Sequence, residues 1–210
     1  MAGKLLFIDA SPRGARSRSR VIANALIARL TARRSDLAIV RLPLWETDLP
    51  AMDGAMIEGR YAVIDGNQVD KSVQVRWDDL RARADHFLSF DGYIIATPMW
   101  NFGVPYPLKH YIDLVTQPGM LFSNDASGHV IGHCTGKRAI IIAASAMPII
   151  AGGALEALDH QCAYLVQWLR FIGVTDIKTM RVAPTYGTEG AVGTVMAEAT
   201  LTAEAIADQF

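Results

Sequence analysis

The chain has 210 residues, 51% of them hydrophobic, and a formal net charge of −1, which suits one domain with a five-stranded sheet covered on both faces. No basic block is dense enough to follow a phosphate backbone, so a nucleic-acid partner is excluded. No apolar run reaches the roughly 18 residues of a membrane span, and the amino terminus lacks a basic segment followed by an apolar one, so membrane and secretory readings are excluded too.

Lys4–Asp9 opens as an apolar strand, and Val21–Leu30 then carries apolar residues at helical spacing. Between them lies a serine-rich loop. Leu37–Leu42 reads as the second strand, and the stretch from Pro43 to about Gln74 has no sustained period, so a long excursion with one short helix is expected. Helical spacing resumes over Trp77–Phe90. Gly92–Thr97 is a short, β-branched apolar run of the kind that makes a central parallel strand, and Pro98, Pro105 and Pro107 then delay the next helix to Leu108. Ala139–Ala144 is the fourth strand. Leu155–Phe171 reads as a long apolar helix with Gly173 as its C′ residue, Ile177–Val182 as the fifth strand and Ala191–Asp208 as an alanine-rich terminal helix. Strands alternating with helices predict an α/β fold with a parallel sheet.

Two loops follow carboxyl ends of strands, where open α/β sheets bind ligands. In Pro98-Met-Trp-Asn-Phe-Gly103, Trp100 and Phe102 offer flat apolar faces, Asn101 an amide donor and acceptor, and Gly103 room for close backbone approach, a set suited to a planar ligand. In Ser11-Pro-Arg-Gly-Ala-Arg-Ser-Arg-Ser19, three hydroxyls stand before a helix amino terminus, which favours an anion. A plain serine N-cap is the alternative. The loop holds the single glycine Gly14, so it fits neither the glycine-rich dinucleotide fingerprint nor the P-loop of an ATPase.

The run Pro-Met-x-Asn-Phe-Gly-x-Pro-x-x-Leu-Lys-x-Tyr-Ile-Asp from Pro98 to Asp113 is similar to the core motif of the FMN-dependent NADH-azoreductase and quinone reductase family, with Trp100 where that family often carries Tyr. The resemblance extends through Gly119–Phe122, Thr135–Arg138 and the serine loop. It implies a flavodoxin-like, doubly wound sheet of order 2-1-3-4-5 with helices on both faces, a single domain over residues 1–210, and FMN at the switch point between the first and third strands. It also implies Ser11, Ser17, Arg18 and Ser19 at the phosphate, and Pro98, Met99, Trp100, Asn101, Phe102 and Gly103 around the isoalloxazine ring. One monophosphate held by hydroxyls suits FMN better than NAD. The implied reaction is ping-pong: hydride passes from NADH or NADPH to flavin N5, and a quinone, or an aromatic azo compound over two cycles, is then reduced by two electrons. No catalytic dyad is required, because the cofactor carries the chemistry. A flavin or iron reductase and a flavodoxin-type electron carrier are the alternatives.

The family works as a homodimer, in keeping with the high apolar content and a mean hydropathy of +0.20. Cys134 and Cys162 are too few for a disulfide framework and suit a reducing cytoplasm. With His129, His133 and His160 they lack zinc-ligand spacing, so no metal site is expected, and nothing marks an activated thiol. Trp45, Trp77 and Trp168 read as core or interface packing. Lys109–Asp113 reads as a helix-docking segment or a solvated face, and Tyr106 as a residue lining the substrate side.

The chain departs from the family after the fourth strand. Where the family carries a short Thr/Ser-x-Gly-Gly turn, often with Arg, this sequence reads Ala143-Ala-Ser-Ala-Met-Pro-Ile-Ile-Ala-Gly-Gly153. Ser145 is expected to keep a flavin contact. Met147 and Pro148 are expected to form an apolar wall that favours hydrophobic quinones over azo dyes.

Overall fold

The computed structural model describes residues 3–64 and 66–210. The central parallel sheet contains β1 (Lys4–Asp9), β2 (Ala38–Pro43), β3 (Gly92–Pro98), β6 (Arg138–Ala144) and β7 (Asp176–Val182), in the order β2-β1-β3-β6-β7. Counted as five strands this is the expected 2-1-3-4-5. The three central strands are buried along almost their whole length, which is why they read as continuous apolar runs.

Alternate residues divide between two cores. Leu5, Phe7, Ile94, Ala96, Ile140 and Ile142 face one side, with Ile22, Leu26 and Leu30 of α1 (Arg18–Arg33) and Ala199, Ala203 and Ala207 of α6 (Glu189–Gln209). Leu6, Ile8, Tyr93, Ile95, Ala139 and Ile141 face the other. There they meet Trp77, Leu80, Ala84 and Phe87 of α3 (Lys71–Leu88), Leu108, Tyr111 and Ile112 of α4 (Tyr106–Val115), and Leu165, Trp168 and Leu169 of α5 (His160–Phe171). Trp77 and Trp168 are therefore core residues, as expected.

Beyond shifts of a few residues at element ends, four differences from the sequence reading matter. The excursion after β2 contains the expected short helix, α2 (Gly54–Ile64), but α3 begins at Lys71, before the predicted Trp77. Helix α4 starts at Tyr106, with Pro107 in its first turn. First-turn N–H groups have no intrahelical partner, so proline is tolerated there. Helix α5 begins only at His160, after a 3₁₀ turn over Glu156–Leu158, because Asp159 caps it by accepting from the Cys162 N–H at 2.8 Å.

The fourth difference is an antiparallel hairpin of β4 (Phe122–Asn124) and β5 (Val130–Gly132), which the sequence reading lacks. It lies against the end of α5, where the expected C′ residue Gly173 has φ +101°. A Cβ on Gly132 would stand 2.2 Å from the Ile172 carbonyl carbon, so that contact admits only glycine.

Candidate functional site

Because the sheet is parallel, the loops after β1, β3 and β6 leave from one edge, and these three strands are neighbours. The chain reverses its direction of strand addition between β1 and β3, so this edge is the topological switch point.

Ser11, Ser17 and Ser19 are all at most 2% exposed. Ser17 is the N-cap of α1, its Oγ accepting from the Arg20 N–H at 3.2 Å, so the capping role is real. Capping uses one lone pair and leaves the hydroxyl proton free. Among the described residues Ser19 Oγ has only Ser17 Oγ, 3.3 Å away, and Ser11 Oγ accepts from the Arg13 N–H at 3.4 Å. Three buried hydroxyls, two of whose protons remain spare because one of Ser17 and Ser19 donates to the other, thus stand at the amino end of a 16-residue helix, with Arg13, Arg16 and Arg18 exposed around them. That donor set fits a phosphate monoester.

Beneath this loop lies a charge cluster that the sequence reading missed. Asp9, with a fully buried side chain, accepts from Arg41 Nε and Nη2 at 3.1 and 2.8 Å. Arg20 Nε is 2.5 Å from the same carboxylate but not in line for a hydrogen bond, while Arg20 Nη2 donates to the Ser11 carbonyl at 3.0 Å. The Ser11 N–H points to Asp9 Oδ1 at 3.3 Å. Asp9 therefore ties α1, β2 and the serine loop together. The signal was available: a carboxylate closing an otherwise apolar buried strand must be paired.

After β3 the chain makes a tight reversal. Trp100 and Gly103 exchange two backbone hydrogen bonds of 3.0 Å, and the residues between them, Asn101 and Phe102, have φ of +47° and +69°. This is a two-residue hairpin with positive φ at both central positions, a turn that favours Asn-Gly. Asn is at home there, but a bulky Phe is strained by roughly 1–3 kcal/mol. Phe102 is nonetheless 39% exposed, so the strain presents its ring outward. A Cβ on Gly103 would meet only the Trp100 carbonyl oxygen, at 3.8 Å, so Gly103 keeps open space in front of the turn.

Met99, Asn101 and Phe102 face Ser145, Ala146, Met147 and Ile149 across an open cleft of about 210 Å³. The Met99 N–H donates to the Ala144 carbonyl at 2.7 Å and fixes the two loops to each other. Ser145 is buried, and its hydroxyl donates to the Met147 carbonyl at 2.8 Å, so it holds its own turn as well as lining the cleft. The apolar wall consists of Ala146, Met147 and Ile149; Pro148, expected in it, is exposed and not among the lining residues. Two parallel-strand spacings, about 10 Å, separate the chain leaving β1 from that leaving β6. The cleft and the serine loop thus offer a flat apolar seat and an anion cradle at the two ends of one short path. The strained turn, the open space at Gly103 and the spare hydroxyls fit FMN.

The remaining candidates behave differently. Lys109 and Asp113 pair with each other on an exposed face at 2.6 Å, four residues apart. Burial pushes the Cys162 thiol up to about 12 and the Cys134 thiol upward as well, so neither is an activated nucleophile. Among the described residues no cluster of three His, Cys, Asp or Glu side chains is arranged to hold a metal ion, and no helix is long and apolar enough to cross a membrane.

Residues 3–206 match the family model described as a flavodoxin-like fold. The FMN-dependent NADH:quinone oxidoreductase of Ruegeria pomeroyi is 37% identical over 186 residues, spanning 89% of this chain and 91% of that protein. FMN-dependent NADH:quinone oxidoreductase 2 of Pseudomonas syringae pv. tomato is 38% identical over 173 residues, 82% of each chain. Among solved structures, the FMN-dependent NADH-azoreductase of Bacillus anthracis str. Ames Ancestor, in complex with FMN, superposes with a TM-score of 0.88 at 21% identity over 99% of this chain and 98% of that one, a likeness of fold.

Proposed function

The chain belongs to the flavodoxin-like fold family, and on that premise we propose that it is an FMN-dependent NAD(P)H oxidoreductase that reduces quinones by two electrons. Aromatic azo compounds are its secondary acceptors. The observation that carries this reading is the alignment, along one sheet edge, of three buried serines with a cleft built by the loops after β3 and β6. When bound, FMN supplies the redox chemistry, accepting hydride from reduced nicotinamide and returning two electrons to the acceptor.

The protein's own residues bind and orient. Ser11, Ser17, Ser19 and Arg18 hold the phosphate, while Pro98, Met99, Gly103 and the Trp100 backbone shape the seat of the ring, the Trp100 side chain packing outside the cleft against Trp45. Asn101, whose side chain is exposed at the cleft, addresses the polar edge of the ring, and Phe102 closes its apolar side. Ser145 presents its turn to the same cleft. No side chain there is required to move a proton.

The whole chain acts as one domain and pairs as a cytoplasmic homodimer; exposed Tyr61, Val75 and Tyr186, 59–84% accessible, are surface for such pairing. Purified protein is expected to be yellow, to release FMN on denaturation and to be bleached by NADH alone. Varied NADH and quinone should then give the parallel double-reciprocal lines of a ping-pong cycle. Recovery of FAD, or failure to take up added FMN, overturns the cofactor. A flavin that NADH does not reduce indicates an electron carrier instead.

Acceptor choice follows from the wall of the cleft. Met147 is 41% exposed at its rim, so hydrophobic quinones gain contact there while a charged sulfonated azo dye does not. Replacing Ala146-Met147-Pro148 with Arg-Gly-Gly is expected to move the quinone-to-azo rate ratio about tenfold toward the dye, since one buried apolar side chain contributes on the order of 1–3 kcal/mol to such discrimination. FMN affinity should change far less than that ratio, because the phosphate loop is untouched. Unaltered rate ratios would remove this loop from the acceptor's path.

A further inference from the structure

Trp45, from the turn after β2, Trp100, from the turn after β3, and Tyr106, the first residue of α4, meet at the same edge of the sheet. Ring centroids are 5.5 Å apart for Trp45 and Trp100, 5.2 Å for Trp45 and Tyr106, and 6.4 Å for Trp100 and Tyr106. Trp45, expected in core or interface packing, is half-buried outside the two core clusters. Its Nε1 donates to the Ala10 carbonyl at 2.9 Å, which fastens the trio to the start of the serine loop.

Trp100 and Tyr106 remain 40% and 66% exposed. None of the three lines the cleft between Met99, Phe102 and Met147, so the protein presents two aromatic faces that share one turn. The serine loop beside the trio carries exposed Arg13, Arg16 and Arg18, and none of these has a carboxylate partner among the described residues.

We propose that the Trp45–Trp100–Tyr106 face takes the adenine ring of the reduced dinucleotide while its nicotinamide end lies over the flavin seated in the cleft. This rests on the NAD(P)H-dependent reading above. A quinone or an azo dye needs only one flat seat and has no pyrophosphate joining two separate heterocycles. A nicotinamide dinucleotide has two flat heterocycles joined by a pyrophosphate, matching two aromatic faces beside a basic loop. Stacking on Trp and Tyr requires no base-specific hydrogen bonds, which suits a face whose remaining polar side-chain groups are the Tyr106 hydroxyl and the Trp100 indole N–H. Because both faces adjoin the Met99–Gly103 turn, the dinucleotide binds bent.

The test compares NADH with reduced nicotinamide mononucleotide, which lacks the adenylate half, at a fixed quinone concentration. In Tyr106→Ala, and separately in Trp45→Leu, kcat/KM for NADH should fall roughly tenfold, the loss expected of one stacking platform. The constants for reduced nicotinamide mononucleotide and for the quinone, and FMN affinity, should hold within about twofold in Tyr106→Ala. Equal losses with both nicotinamide substrates, a fall confined to the quinone, weakened FMN binding in Tyr106→Ala, or no change at all would each overturn the assignment. Wild-type protein that oxidises neither donor would overturn the parent reading first, before any variant is compared.

Discussion

The double variant Ser17→Ala/Ser19→Ala is expected to bind FMN about 100-fold more weakly or worse, while its affinity for riboflavin, which lacks the phosphate, changes no more than a few-fold. A hydrogen bond to a charged group contributes about 1.5–3 kcal/mol, so losing two costs at least about 3 kcal/mol. Burial places these hydroxyls at the upper part of that range, since Ser17 and Ser19 are 2% and 1% exposed and water cannot replace them. The fold should survive. Ser17 caps α1, and loss of a cap costs roughly 1 kcal/mol. A flavin titration monitored by fluorescence quenching reads both affinities. Equal weakening for FMN and riboflavin would make the serines merely structural, and unchanged FMN affinity would leave Ser17 as a cap and nothing more.

Legibility of this loop in the sequence has a physical basis. Function here is carried by residues close together in the chain: three hydroxyls within nine positions, before a helix whose apolar stripe is plain. The Met99–Gly103 turn was legible for the same reason, although its positive φ values at Asn101 and Phe102 were not. Only Gly103 suggested special geometry, and in the structure it supplies open space, while the left-handed positions fall on its two predecessors.

Strands β1, β3 and β6 were legible because burial on both faces removes polar residues from them almost completely. The β4–β5 hairpin was not. Its strands are three residues long and contain no fully buried residue, so no periodicity develops, and its reversal depends on Asp125 accepting from the Ser127 and His129 N–H groups at 2.8 and 2.9 Å. Helix α4 was misjudged at its start because two prolines two residues apart read as a barrier. The structure uses Pro105 as the N-cap and Pro107 within the first turn, where neither costs a hydrogen bond.

Interactions distant in sequence were the least legible, and Asp9 shows why: its partner Arg41 is 32 positions away. Asp9→Ala is expected to destabilise the protein by about 3 kcal/mol, the low end for breaking a buried ion pair, because Arg41 is 42% and Arg20 16% exposed and water relieves part of their charge. For a chain of this size that corresponds to a fall in Tm of roughly 6–12 °C, read by calorimetry. FMN affinity should fall as well, since Arg20 would no longer be held where it donates to the Ser11 carbonyl. The triple variant Asp9→Leu/Arg20→Met/Arg41→Met separates the two consequences. Replacing a buried ionic cluster with apolar side chains is often neutral or stabilising, so Tm should recover. FMN affinity should not recover, because without Arg20 and the Asp9 acceptor nothing fixes the Ser11 backbone beside the other two serines. Recovery of both would reduce the cluster to a stabilising element with no part in shaping the phosphate loop, and a triple variant with neither restored would show that the ionic network itself holds β1, β2 and α1 in register.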